Sequence, residues 1–207
     1  MELIYVDGSP FARVVRILVH EWRLAVKCTE VSFPLPPETE ALTPMGQVPL
    51  LLREGQPPLF PTLNIIEHMS SLVAGDVPFP HNDQTRENLV IALSAGDVLA
   101  QAAYQQWSGL GQIAENGLGF EPGARNLDRF FRTICWLSEK AEVEAIASMV
   151  AAVFLYWARD RGVAGLELAD ARFDRFEPLF SRPSFQFTKP RPHTLAASGK
   201  SEDGLFE

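Results

Sequence analysis

The sequence predicts a two-part fold: an α/β first part built as β-α-β then β-β-α, and an all-α second part. Three observations carry this reading. Short strand-forming runs alternate with helical periodicity as far as Leu72. A stretch bearing Gly75, Pro78 and Pro80 then interrupts the pattern at residues 74–82. Beyond Asp83 the strand signals vanish and long helical patterns take over.

The elements follow in order. Residues 3–6 form a short apolar run of strand formers ended by Asp7-Gly8. Ser9 is a good N-cap and Pro10 suits the first helical position. From Phe11 the apolar residues Val14, Val15, Leu18, Val19 and Trp22 recur at helical spacing, while Arg13, Arg16, His20 and Glu21 fill the other face. This predicts a helix to about Leu24. Residues 26–33 alternate in polarity as a second strand, joined to the first by a right-handed crossover. Residues 34–46, rich in proline, form a loop with at most a short helix at 37–42. Residues 48–53 and 58–60 read as a hairpin about a turn at 54–57. Thr62 is the expected N-cap of the next helix, with Leu63, Ile66, Met69 and Leu72 on one face.

These signals divide the chain into an α/β domain at residues 1–75, a linker at 76–82 and a helical domain at 83–193. Helical patterns run over 84–109, 122–140, 145–161 and 169–180, with a Gly-rich break at 109–123. The tail 194–207 is small and polar and is expected to be mobile.

Composition excludes several function classes. The chain has 207 residues, 46% hydrophobic and 21% charged, enough for one large core or two modest ones. A net charge of −8 repels a polyanion on average, so nucleic acid is not an expected partner. No apolar run reaches about 18 residues, so no membrane span is expected, and the most apolar stretch, 145–158, reads as a buried core helix. The N-terminus lacks the basic-then-apolar pattern of a signal peptide, and only Cys28 and Cys135 are present, which together predict a reducing, cytoplasmic setting. Both thiols read as buried and structural. His20, His68, His81 and His193 show no metal-ligand spacing, and no metal is expected.

Three motifs in order resemble the cytosolic glutathione transferases, in particular the bacterial forms. Ser9-Pro10-Phe11-Ala12-Arg13-Val14-Val15-Arg16 is similar to the family's SP[FY]-x-R-x-VR opening. Thr43-Pro44-Met45-Gly46-Gln47-Val48-Pro49-Leu50-Leu51 resembles its NPxGxVPxL segment. Phe60-Pro61-Thr62-Leu63-Asn64-Ile65-Ile66 stands at the place of its [EQ]S-x-x-I. Arg182-Pro183-Ser184-Phe185 resembles the motif closing the family's helical domain. The resemblance spans residues 1–187 and implies a thioredoxin-like N-terminal domain on an all-α helical bundle, the glutathione-transferase fold.

It also implies a chemistry. Family members activate the glutathione thiol, which is mostly protonated at neutral pH near a pKa of about 8.5. The resemblance places Ser9 as the hydroxyl that donates to the sulfur; the alternative is that Ser9 only caps its helix. It makes Val48-Pro49 a cis-proline turn whose Val48 backbone pairs with glutathione. Thr62 would bind the γ-glutamyl carboxylate at a helix N-terminus, or only cap it. Phe11 and Gln47 complete the glutathione-binding set.

Departures matter as much. Pro61 stands where relatives carry an acidic or amide side chain, so an acceptor for the ligand's ammonium is missing, roughly one to two decades in affinity. Asp97 matches a residue that some relatives present across a dimer interface; a solvated role is the alternative. Ala145-Ile146-Ala147-Ser148 replaces an S/T-x-x-D capping box, with Ser148 a partial substitute. Ser9, in place of the cysteine of the redox branch, excludes thiol–disulfide exchange at that position. Gln101, Tyr104 and Trp107 are candidates for an apolar co-substrate pocket facing Ser9. The expected function is glutathione transfer to a small hydrophobic electrophile by a homodimer. The alternatives are a non-catalytic scaffold with weakened glutathione affinity and a regulatory role as in stringent-starvation-type relatives, for which no residue speaks.

Overall fold

The computed structural model describes residues 1–73, 82–108, 122–143, 145–163 and 170–192. The expected linker, most of the Gly-rich break and the tail lie outside the described residues, as do His81 and His193. In chain order, the first part contains β1 (Glu2–Tyr5), α1 (Pro10–Glu21), β2 (Lys27–Glu30), α2 (Pro37–Glu40), β3 (Leu50–Arg53), β4 (Gln56–Leu59) and α3 (Thr62–Ser70). β1 pairs parallel with β2 and antiparallel with β3, which pairs antiparallel with β4. The four-stranded sheet has the order β2-β1-β3-β4, a thioredoxin-like arrangement. The second part is helical: α4 (Asp83–Trp107), α5 (Pro122–Lys140), α6 (Ile146–Asp160), α7 (Asp170–Phe180) and α8 (Pro183–Phe187).

Boundaries differ from the sequence expectation for local reasons. α1 stops at Glu21, short of Leu24. Arg23 takes a left-handed φ of 51°. Its N–H reaches His20 O, and Leu24 N–H reaches Val19 O at 3.0 Å, the paired bonds of a Schellman motif. Because arginine fills the position usually held by glycine, the stop carried no local signal. β2 is shorter than the predicted 26–33 and largely exposed, as an edge strand is. Cys28 is therefore exposed and Cys135 only half-buried, correcting the expectation of two buried thiols. The hairpin turns tightly at Glu54-Gly55, with Gly55 at φ 67°, so β4 starts two residues earlier than expected. The N-cap of α3 is Pro61, not Thr62, which is its first helical residue.

One apolar core runs through both parts. Val14, Ile17 and Leu18 of α1 meet Ile146, Met149, Val150 and Val153 of α6. α6 is buried nearly throughout, as its uninterrupted apolar composition predicts. Its N-cap, Ala145, has no side-chain hydrogen bond. Ser148 does not replace the missing box: its hydroxyl donates to Glu142 O at 2.6 Å and ties the preceding turn onto the helix. α4 crosses α6 closely, and a Cβ on Gly96 would lie 2.1 Å from Phe154 Cζ. The closing motif grips α1: Arg182 pairs with Glu21 at 3.2 Å, Ser184 hydrogen-bonds the same carboxylate, and buried Arg13 donates to Phe185 O at 3.1 Å. Arg13 also stacks over the Tyr156 ring at 4.3 Å. Burial pulls its pKa down to about 10, which leaves it cationic at neutral pH.

Candidate functional site

Sheet topology brings the three N-terminal motifs to one edge. β1 ends where α1 begins. In the antiparallel register Ile4 faces Leu50, so Pro49 and Val48 lie opposite Tyr5 and Val6. β4 runs back along β3, with Leu59 opposite Leu51, and delivers α3 to the same sheet end. Ser9, Val48-Pro49 and Thr62 are thus neighbours because of strand direction, although they are far apart in sequence.

Ser9 sits in extended backbone at φ −80°, ψ 119°, and its Oγ accepts from Ala12 N–H at 3.3 Å. It caps α1 as the sequence indicated. A hydroxyl has one donor and two acceptor sites, so capping leaves the O–H free to donate outward. The α1 N-terminus supplies positive potential at the same point. The preceding turn is held by Ser9 N–H to Val6 O at 3.0 Å. Asp7 is neutralised from two sides, by Arg16 at 3.2 Å and by Arg191, whose N–H donates at 2.8 Å and whose Nε lies at 3.5 Å. Its charge therefore opposes an anion at Ser9 less than a bare carboxylate would.

The Val48-Pro49 bond is cis, as are Phe33-Pro34 and Phe60-Pro61. Val48 is half-buried and lies outside the strand, Pro49 is buried, and Gln47 is exposed. Thr62 is buried at the first position of α3, whose N-cap Pro61 offers no side-chain acceptor and is itself exposed. The first-turn N–H groups of α3 consequently lack a capping side chain. The Phe11 ring packs edge-on against Phe154, with centroids 4.9 Å apart, where α1 meets α6.

The helical part reaches the site through aromatic residues. Trp157 Nε1 donates to Gly8 O at 3.0 Å, directly before Ser9. Trp107 packs edge-on to Trp157 at 5.6 Å, and Tyr104 to Trp107 at 5.6 Å. Tyr104 and Trp107 keep 59% and 48% of their surface exposed, so this ladder runs from the Ser9 turn to solvent. Gln101 and Asp97 lie on the exposed side of α4. Desolvation by neighbouring atoms raises the Asp97 pKa. Neither Trp157 nor Arg161 stands out in the sequence as a site residue. The guanidinium of Arg161 rests against Gly8, with Nη2 2.9 Å from where a Cβ would stand. No local pattern relates residues 157 and 161 to residue 8.

Among the described residues no cluster of His, Cys, Asp or Glu could hold a metal, and no helix is long and apolar enough to cross a membrane. Residues 3–76 match the family described as "Glutathione S-transferase, N-terminal domain". No curated protein matches the chain by sequence. Solved structures resemble it over nearly its whole length. A glutathione transferase family member from Pseudomonas fluorescens Pf-5 with bound glutathione is 21% identical, at a TM-score of 0.71 over 92% of this chain and 98% of that one. A glutathione S-transferase from Methylobacillus flagellatus with glutathione bound is 19% identical, at a TM-score of 0.73 over 92% and 99%. Gtt2 from Saccharomyces cerevisiae is 16% identical, at a TM-score of 0.69 over 91% and 100%. At these identities the likeness establishes the fold. The strand order, the cis turn and the family match agree: residues 3–76 match the glutathione S-transferase N-terminal domain, and the chain has the glutathione-transferase fold.

Proposed function

We propose that the protein binds glutathione along the Val48-Pro49 edge and transfers it to a small apolar electrophile. The observation that carries this reading is Ser9, which caps α1 through its lone pair and keeps an O–H with no acceptor among the described residues, at a positive helix end. Glutathione lies antiparallel to Val48, pairing with its N–H and C=O, and Gln47 flanks it. Its γ-glutamyl carboxylate meets the hydroxyl and N–H of Thr62 at the start of α3. The thiol loses its proton to solvent, and the Ser9 hydroxyl donates to the resulting thiolate. The sulfur lone pair then forms the new S–C bond as the electrophile's leaving group departs or its π electrons shift away. Tyr104 and Trp107, with Gln101 at the rim, offer the electrophile an apolar wall. The bound state is proposed to be a cytoplasmic homodimer in which Asp97 of each subunit approaches the other's glutathione.

A second reading, a binding protein with weak glutathione affinity, is favoured by Pro61, which leaves the ligand's ammonium without an acceptor. Retention on immobilised glutathione, backed by calorimetric titration, separates the two. A dissociation constant in the micromolar range supports the transferase. Millimolar or weaker binding supports the second reading. In that case Pro61→Glu, which adds a charge-assisted hydrogen bond of about 1.5–3 kcal/mol, is expected to tighten binding about tenfold or more. Light scattering at micromolar concentration tests the dimer, and a monomer removes the role given to Asp97.

A further inference from the structure

We propose that Arg161 is an electrostatic positioning residue, whose guanidinium supplies the Ser9 turn with a fixed positive charge that favours the anionic form of a bound glutathione sulfur. The inference rests on the glutathione-binding reading above. It names a group that neither the motifs nor the family match assigns.

The geometry begins at the end of α6. Arg161 is the helix C-cap, Gly162 follows at φ 62°, and Val163 N–H returns to Ala158 O at 3.0 Å. This Schellman closure fixes the direction in which the Arg161 side chain leaves the helix. The side chain then runs to the Ser9 turn, where only 8% of it stays exposed. A Cβ on residue 8 would sit 2.9 Å from Nη2, so glycine at that position allows the cation to lie against the backbone. Trp157, one turn earlier on α6, fixes the same residue through its Nε1 bond to Gly8 O. Two side chains of α6 thus hold the residue that precedes Ser9.

Charge balance favours a net positive effect. The carboxylate paired with Arg161, Asp160, stands at a long 3.6 Å and is partly exposed. Asp7, the acid of the turn itself, is already matched by Arg16 and Arg191. Arg13, from α1, adds a further buried cation. From α4, the exposed Asp97 lies about two to three turns before Tyr104 and Trp107, the α4 residues of the aromatic ladder. Consecutive Cα atoms are about 3.8 Å apart, which puts the guanidinium within roughly 10 Å of Ser9 Oγ. At an effective dielectric near 20, a unit charge at about 10 Å shifts a thiol by about one pKa unit.

The test measures the pKa of glutathione bound to the full-length protein, from thiolate ultraviolet absorbance against pH. Arg161→Gln is expected to raise that pKa by about one unit, about tenfold less thiolate near neutrality, while Arg161→Lys keeps most of the wild-type value. Asp160→Asn is expected to lower it, and this variant keeps the idea testable if loss of Arg161 unfolds the chain. Equal elevation in the Gln and Lys variants would show a bracing role and overturn the proposal. So would an unchanged pKa in Arg161→Gln, or an unchanged or raised one in Asp160→Asn. Wild-type protein that binds no glutathione overturns both this inference and the reading beneath it. Binding with no response to these substitutions overturns this inference alone.

Discussion

Replacing Ser9 by alanine separates two functions of one hydroxyl. In the free protein, Ser9 Oγ accepts from Ala12 N–H at 3.3 Å. N-cap loss costs about 0.5–2 kcal/mol, and at this length the lower half of that range applies, so Ser9→Ala is expected to lose about 0.5–1 kcal/mol. In the complex, the O–H donates to a thiolate. A hydrogen bond to a charged group contributes about 1.5–3 kcal/mol, and one pKa unit is about 1.4 kcal/mol, so the bound thiol is expected to rise by one to two units. Urea unfolding without ligand reads the first quantity, and thiolate absorbance against pH reads the second. Ser9→Asp distinguishes them further: aspartate caps as well as serine, offers no donor at neutral pH and adds a negative charge. It is expected to retain stability while raising the thiol pKa more than alanine does. If Ser9→Ala destabilises the free protein by the cap amount and leaves the bound thiol pKa unchanged, the hydroxyl is a cap and nothing more.

Three other substitutions test the frame around the site. Gly96→Ala would place a methyl 2.1 Å from the Phe154 ring, so α4 and α6 must separate, and thermal unfolding is expected to show a loss of about 1–3 kcal/mol or more. Ser148→Ala removes the 2.6 Å bond to Glu142 O; because the exposed carbonyl side can rehydrate, denaturant titration is expected to show a loss of about 1 kcal/mol. Asp97 has a raised folded-state pKa from desolvation, so the stability its neutral form contributes is complete below the unfolded pKa and is lost as pH rises through the folded one. Asp97→Asn is therefore expected to resist urea better than wild type at neutral pH, with the gap closing as pH falls below the carboxylate range.

How much of this was legible in the sequence depends on the range of each signal. Ser9-Pro10 marked the start of α1 correctly because capping and a fixed proline φ act within one turn. The end of the same helix was misread, since Arg23 adopts the left-handed geometry for which glycine is the usual signal. Thr62 was misassigned by one position because Pro61, which has no capping side chain, holds the N-cap of α3. Cys28 was judged by its place in a predicted strand, but a strand pattern does not say which strand will form the edge of the sheet. The partner of Ser148 was hidden for a related reason: the acceptor of its hydroxyl is the carbonyl of the turn before α6, and only the path of that turn creates the bond.

The site itself divides along the same line. Its N-terminal half was readable because every proposed contact is made at the end of a strand or helix, and such ends carry turn and cap residues. Its helical half was not. Trp157 and Gly8 are 149 residues apart, and what joins them is the packing of α1 against α6. Val14, Ile17 and Leu18 would make equally good sense on a helix packed against any apolar partner. Once that packing is set, α6 must end beside the Ser9 turn, and the residues of its last turn become neighbours of the reacting end of the ligand. Residues 157 and 161 are one helical turn apart, so one face of α6 contributes both an N–H and a cation to the backbone of Gly8. A side chain larger than hydrogen at residue 8 would push Arg161 away from that backbone, and Gly8→Ala is therefore the substitution through which fold and site are most directly coupled.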